Sequence, residues 1–141
     1  MTARFLFDTN VISELARPKP HPGVVGFVAT VSEVMVSSIL FHELTFGLET
    51  APPGQLRRLG AFIRAIRDRF EDRAVPIDVP IADAAARIRA LAKRQGRTMT
   101  VADSLIAGTA IIHDATLVTR NIKDFDGLTL SLVNPFAGAE L

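Results

Sequence analysis

Short apolar runs alternate along this chain with longer stretches whose apolar residues recur every three or four positions, and that alternation sets the class of fold. Arg4 to Phe7, Val34-Met35-Val36, Val75 to Asp78, Thr116 to Thr119 and Leu128 to Val133 are short enough and apolar enough to be strands. Between them, Val11 to Ala16, Gly23 to Val31, Ser38 to Thr50, Leu56 to Phe70, Ile81 to Leu91 and Thr100 to His113 carry helical spacing. The clearest stripes are Leu56, Leu59, Ile63, Ile66 and Phe70, then Ile81, Ala84, Ala85, Ile88 and Leu91. Strands separated by helices predict an α/β fold with a mainly parallel sheet, because parallel neighbours need a crossover that a helix supplies. Arg17-Pro18-Lys19-Pro20-His21-Pro22 interrupts the pattern, since alternating prolines withhold the N–H donors of helix and sheet, and it reads as an extended loop.

A length of 141 residues predicts one domain spanning residues 1–141, and 48% hydrophobic against 22% charged residues predicts that it folds. With no cysteine, a metal would have to be held by oxygen or imidazole. The apolar run in MTARFLFDTN is too short for a signal segment, and no later stretch is long enough for a bilayer, so a soluble cytoplasmic protein without membrane association is expected. The net charge of +1 decides nothing about a polyanionic partner, but its distribution is uneven. Arg57, Arg58, Arg64, Arg67, Arg69 and Arg73 form one basic cluster, and Arg87, Arg89, Lys93, Arg94 and Arg97 a second. Each fits a path for phosphates or the solvated face of an amphipathic helix.

Three acids stand out by their surroundings. Asp8 ends the first strand, where ligands bind in open parallel sheets, although Asp and Thr9 are also good helix caps. Glu43 has Ile39, Leu40, Phe46 and Gly47 as its helical neighbours, which predicts a carboxylate on a buried face that needs a cation or an arginine. Asp103 lies among Met99, Ile106 and Ala107, with Ala110 and Ile111 continuing the stripe, while Thr100-Val101-Ala102-Asp103 has the spacing of a capping box. If the two helices pack against the first strand, the three carboxylates converge and repel one another unless a cation joins them. Oxygen ligands with room for water suit Mg²⁺ or Mn²⁺ and the hydrolysis of phosphodiesters.

Phe7-Asp8-Thr9-Asn10-Val11-Ile12-Ser13-Glu14, then Ser38 with Glu43-Leu44 and Gly47, then Ala102-Asp103, then Val118-Thr119-Arg120-Asn121-Ile122-Lys123-Asp124-Phe125 resemble, in that order, the signatures of the PIN-domain family, especially its VapC and FitB toxins. The resemblance spans nearly the whole chain, to Asn134-Pro135. It implies a three-layer α/β/α sandwich around a mainly parallel five-stranded sheet, and a Mg²⁺-dependent endoribonuclease, with Mn²⁺ as substitute, acting as a toxin. It also implies a homodimer and a VapB- or FitA-like antitoxin, joined in a heterotetramer or larger assembly that touches operator DNA only through the antitoxin. Asp8, Glu43 and Asp103 match the family's acidic positions, and Thr9 and Asn10 match the polar residues beside the first. Many relatives carry a fourth Asp where this chain has Asn121, and Asp124 stands one turn further on as a substitute. Either also fits loop and cap chemistry, and a site short of one charge holds a second cation less tightly.

Arg17, Lys19 and Arg120 are the basic residues nearest these acids in sequence and are expected to touch substrate phosphate, Arg120 being the one assigned to the site with Thr9 and Asn10. His21, His42 and His113 share no ligand spacing. With neither Trp nor Tyr, recognition of RNA by phosphate and shape is expected over base stacking. A phosphatase of the haloacid-dehalogenase kind would need D-x-D-x-T, and Asp8 is followed by Thr9-Asn10. A receiver module would need an acceptor Asp after a middle strand and a late Lys. A PIN domain of weak catalytic power, kept to bind an antitoxin–DNA complex, is the remaining alternative.

Overall fold

The computed structural model describes residues 3–137, with five strands and seven α-helices. Strand β1 (Phe5–Phe7) is followed by α1 (Thr9–Leu15) and α2 (Pro22–Thr30), then β2 (Val34–Ser37), α3 (Ile39–Glu49) and α4 (Leu56–Phe70). Next come β3 (Ala74–Val75), α5 (Val79–Arg94), α6 (Val101–Ile112), β4 (Thr116–Val118), α7 (Ile122–Phe125) and β5 (Leu132–Val133). The sheet order is β3-β2-β1-β4-β5, and every pairing is parallel.

Both faces of this sheet are covered, and the strand side chains show how. Successive residues of a strand point to opposite faces. Phe7, Val36 and Val118 enter one apolar cluster with Val11, Ile12, Leu40, Ile63 and Ile66, from α1, α3 and α4. Leu6, Met35 and Leu117, one residue earlier in each strand, enter a second cluster with Ile88, Ile106 and Ala107 of α5 and α6. The result is the expected α/β/α sandwich, with its middle strands apolar on both sides.

Several boundaries move for local reasons. The run at Val75 to Asp78 pairs only through Val75, because Pro76 has no N–H and Asp78 caps α5 by accepting from the Ile81 N–H at 3.1 Å. The run at Leu128 to Val133 yields a strand only at its last two residues, since Gly127 and Thr129 take left-handed backbone angles of 76° and 59°. Helix α7 was not expected at all; four residues are too few to show a period. Helices α5 and α6 make the closest helix pair: a Cβ on Gly108 would sit 2.7 Å from the Ile81 carbonyl and 2.8 Å from the Ala85 nitrogen.

Candidate active site

The register of β1 and β4 decides what stands at the carboxyl end of the sheet. Phe7 pairs with Val118, so the next residues, Asp8 and Thr119, emerge side by side. Strand β2 lies on one side of β1 and β4 on the other, which makes this the point where the strand order reverses and a crevice opens. Asp8 is buried at 6% exposure and fixed on all sides. Its N–H donates to Val118 at 2.9 Å, and its carbonyl accepts from Val11 and Ile12 to start α1. Carboxylate Oδ1 accepts from the Thr9 N–H at 2.8 Å, while Oδ2 accepts from the Thr119 hydroxyl at 2.8 Å and from Asn10 Nδ2 at 3.3 Å. The cap expected at Asp8 is present, and it uses one lone pair of Oδ1 and leaves the other free.

Burial raises the Asp8 pKa above its ordinary value of 3.8; the bonds from Thr119, Thr9 and Asn10 oppose the rise, and the charge of Asp124 adds to it. Asp103, in the first turn of α6, is partly buried. Its pKa is also raised, by burial first and then by the charge of Asp8, with smaller contributions from Asp124 and Glu43; a hydrogen bond with Thr100 pulls the other way. The Thr100 hydroxyl accepts from the Asp103 N–H at 3.0 Å, which is the threonine half of the capping box expected from the spacing. Its carboxylate nonetheless feels three other acids.

Glu43 does not occupy a buried face. Helix α3 buries only Leu40 and Leu44, Phe46 is 64% exposed, and Glu43 flanks the stripe in solvent. Four-residue spacing gives a narrow buried line here, because α3 is covered from one side. Neither ion pair among the described residues, Glu14 with Arg17 and Arg67 with Glu71, involves Glu43; instead, Glu43 Oε1 accepts from the Thr9 hydroxyl at 2.9 Å. Thr9 thus links α1 to α3 with its side chain and serves Asp8 with its backbone.

Of the two candidates after β4, Asn121 turns its backbone N–H to the Thr119 hydroxyl at 3.0 Å, and its exposed side chain caps nothing. Asp124, exposed on α7, is the one whose charge acts on both Asp8 and Asp103. Arg120 donates its N–H to Asn10 Oδ1 at 3.1 Å, and its guanidinium lies 4.6 Å from the Phe136 ring centre. Thr119 was missed by reasoning from the sequence. It is fully buried, donates to Asp8 and accepts from Asn121; the signal was its place at the end of a strand parallel to the one that ends in Asp8.

Glu14, the other buried carboxylate, has a structural role, in which Oε2 accepts from the His21 N–H at 3.0 Å and holds the proline loop. His21 caps α2 through Nδ1, which accepts from Gly23 at 3.1 Å. Among the described residues no three Asp, Glu or His side chains are drawn close enough to form a ready coordination shell. Glu43 and Asp124 lie on exposed positions.

The chain is 34% identical to the toxin FitB of Neisseria gonorrhoeae, over 93% of this chain and 97% of that one. It is 30% identical to the VapC ribonuclease Y4jK of Sinorhizobium fredii, over 95% and 99%. A chain from the crystal structure of DNA-bound VapBC of Salmonella typhimurium superposes with a TM-score of 0.79 at 26% identity, covering 95% of this chain and 99% of that one. The family model described as PIN domain matches residues 5–128, from the first residue of β1 to the turn beyond α7. That span holds Asp8, Glu43, Asp103 and Asp124 with every strand but β5, and this chain belongs to the PIN-domain family.

Proposed function

We propose that this chain, acting as one unit, is an endoribonuclease toxin that cuts RNA phosphodiester bonds at a Mg²⁺ site built on Asp8, Glu43, Asp103 and Asp124. Mn²⁺ is the natural substitute. The observation that carries the reading is the buried Asp8 carboxylate, held at the switch point of the sheet by Thr119, Asn10 and the Thr9 backbone, with the Thr9 hydroxyl tying Glu43 to the same place. The donor set fits such an ion: the side chains offer carboxylate oxygen without sulfur or imidazole, the preference of hard cations. When bound, a divalent ion supplies Lewis acidity toward phosphate oxygen and lowers the pKa of water.

The chain's own residues supply position. Asp8 offers the free lone pair of Oδ1 from a carboxylate that Thr119, Asn10 and the Thr9 backbone hold still. Asp103 contributes from the first turn of α6, Glu43 from α3 under the hold of Thr9, and Asp124 from α7 in place of Asn121. Thr9 and Asn10 orient the acids, and Arg120, whose N–H bonds Asn10 and whose guanidinium lies over Phe136, is the candidate for substrate phosphate.

The ribonuclease name of one relative and the toxin name of another support the activity and its setting. In that setting a VapB- or FitA-like antitoxin masks the site of a homodimer in the cytoplasm and carries the assembly to DNA. No helix among the described residues is long and apolar enough to cross a membrane. The test is cleavage of RNA by purified protein with Mg²⁺, with chelator, and in the Asp8→Asn and Asp103→Asn variants. Cleavage should need the cation and vanish in both variants. Undiminished cleavage by a folded Asp8→Asn protein refutes the site. Tight antitoxin binding with no cleavage across a broad RNA panel refutes the enzyme and leaves a binding protein.

A further inference from the structure

The two basic clusters of the sequence meet different fates. On α4, Arg67 pairs with Glu71 and lies 5.1 Å from the Phe41 ring centre, and Arg69 lies 5.1 Å from that of Phe70. The second cluster lines a cavity of about 500 Å³ along α5 and the loop after it, with Arg89, Lys93 and Arg97 around Ala86, Ala90 and Met99. No acid lines this cavity, and neither ion pair among the described residues involves its cations. Arg89 and Lys93 are four residues apart on one helix face, so their like charges lie side by side and repel mildly.

The donors divide cleanly. The Arg97 guanidinium is spent on the carbonyls of Lys123, at 2.7 Å, and Asp126, and on the Gln95 side chain at 3.3 Å. Arg89 commits only Nε, to the Met99 carbonyl at 3.2 Å, which fixes the side chain and leaves both terminal nitrogens. The Lys93 ammonium has no protein partner among the described residues, and its three donors remain. Ala86 and Ala90 keep the floor low enough for a phosphate group.

Short stretches of chain join the cavity to the elements that carry two of the acids. Its floor residue Met99 precedes Thr100, the cap of the helix that carries Asp103, so at most about 14 Å of extended chain separates Met99 from Asp103. Arg97 ties its other wall to α7, which carries Asp124. From these placements we infer that the Arg89–Lys93 groove holds a backbone phosphate of single-stranded RNA a few nucleotides from the bond cut at the acidic site. The inference rests on the nuclease reading above. An acidic protein segment is the weaker occupant: protein interfaces have an apolar centre, and none of the exposed large apolar side chains lines this groove.

The test is fluorescence anisotropy of a labelled single-stranded RNA in chelator, where cleavage plays no part, for wild type, Lys93→Gln, Lys93→Arg and the Arg89→Gln/Lys93→Gln double variant across salt. Two lost phosphate contacts lower the log–log salt slope by about 1.4, which is about 25-fold in affinity at 0.1 M salt if such contacts are worth nothing at 1 M. Lys93→Gln should lose about half that slope, and Lys93→Arg should bind like wild type. Circular dichroism confirms that each variant is folded. Unchanged affinity and slope in folded variants, beside a wild type that cleaves, overturn the groove and leave the nuclease standing. A wild type that neither binds nor cleaves RNA overturns both. Variants that keep RNA but lose an antitoxin assign the groove to protein and overturn the inference.

Discussion

Replacing Thr119 by Val tests whether Asp8 is held as an ionised, oriented carboxylate. Valine keeps the shape at this fully buried position but removes the hydroxyl that donates to Asp8 Oδ2 at 2.8 Å, leaving only Asn10 at 3.3 Å. A hydrogen bond to a charged group contributes about 1.5–3 kcal/mol. The Asn121 N–H also loses its acceptor, but Asn121 is exposed and water replaces the bond at little cost. At about 4 °C per kcal/mol for a chain of this length, the melting temperature at neutral pH should fall by about 6–12 °C.

The pH dependence separates this cause from simple mispacking. The Thr119 bond opposes the upward push of burial on Asp8, so its loss raises that pKa further. A raised carboxylate pKa means stability that is present below the ordinary value of 3.8 and lost as pH rises through the folded value. The Thr119→Val deficit should therefore be largest at neutral pH and shrink below 3.8, where Asp8 is protonated in both states. Urea unfolding at the two pH values measures it, with Thr119→Ser, which keeps the hydroxyl, as control. A Thr119→Val protein as stable as wild type at neutral pH, or one with the same deficit at both, refutes the reasoning.

Asp103→Asn should abolish cleavage yet raise the melting temperature of cation-free protein at neutral pH. The folded pKa of Asp103 is raised, so its ionisation costs stability that Asn does not lose, and the gain should vanish in melts below 3.8; a lower melting temperature at neutral pH contradicts this sign. Gly108→Ala and Gly60→Ala should move stability in opposite directions. Alanine gains about 0.5–1 kcal/mol over glycine in either helix, and at Gly60 its Cβ meets nothing within 4 Å. At Gly108 it meets the α5 backbone at 2.7 and 2.8 Å, an overpacking that costs about 1–3 kcal/mol because two long helices must part. Denaturant unfolding reads both, and a Gly108→Ala protein as stable as Gly60→Ala means α5 and α6 are not locked.

The parallel sandwich was legible because its strands are short and its helices long: Leu56–Phe70 has the same bounds in sequence and structure, since its stripe runs unbroken. Asp8, Thr9 and Asn10 were legible because one strand end concentrates them. The setting of Glu43 was not, because helical spacing tells which residues share a face and not how wide a face is covered; Leu40 and Leu44 are buried, while Phe46 stays exposed. Thr119 escaped because its role depends on pairing across a separation of 111 residues, which local patterns do not carry.

The choice between Asn121 and Asp124 turns on the setting of α7, and that setting is decided elsewhere in the chain. Four residues cannot hold a helix unaided. Helix α7 stands because Phe125 is buried in the α5–α6 side of the core and because Arg97 binds the carbonyls of Lys123 and Asp126, while Gln95 binds that of Gly127 at 3.1 Å. These bonds satisfy carbonyls at the end of the helix that would otherwise face solvent, and they come from the loop that leads into α6. The same loop therefore sets Asp103, through the start of α6, and Asp124, through the end of α7. Two acids that repel one another are held by one short connection: the repulsion acts on side chains, while the backbones beneath them are fixed by the cap at Thr100 and by the bonds of Arg97.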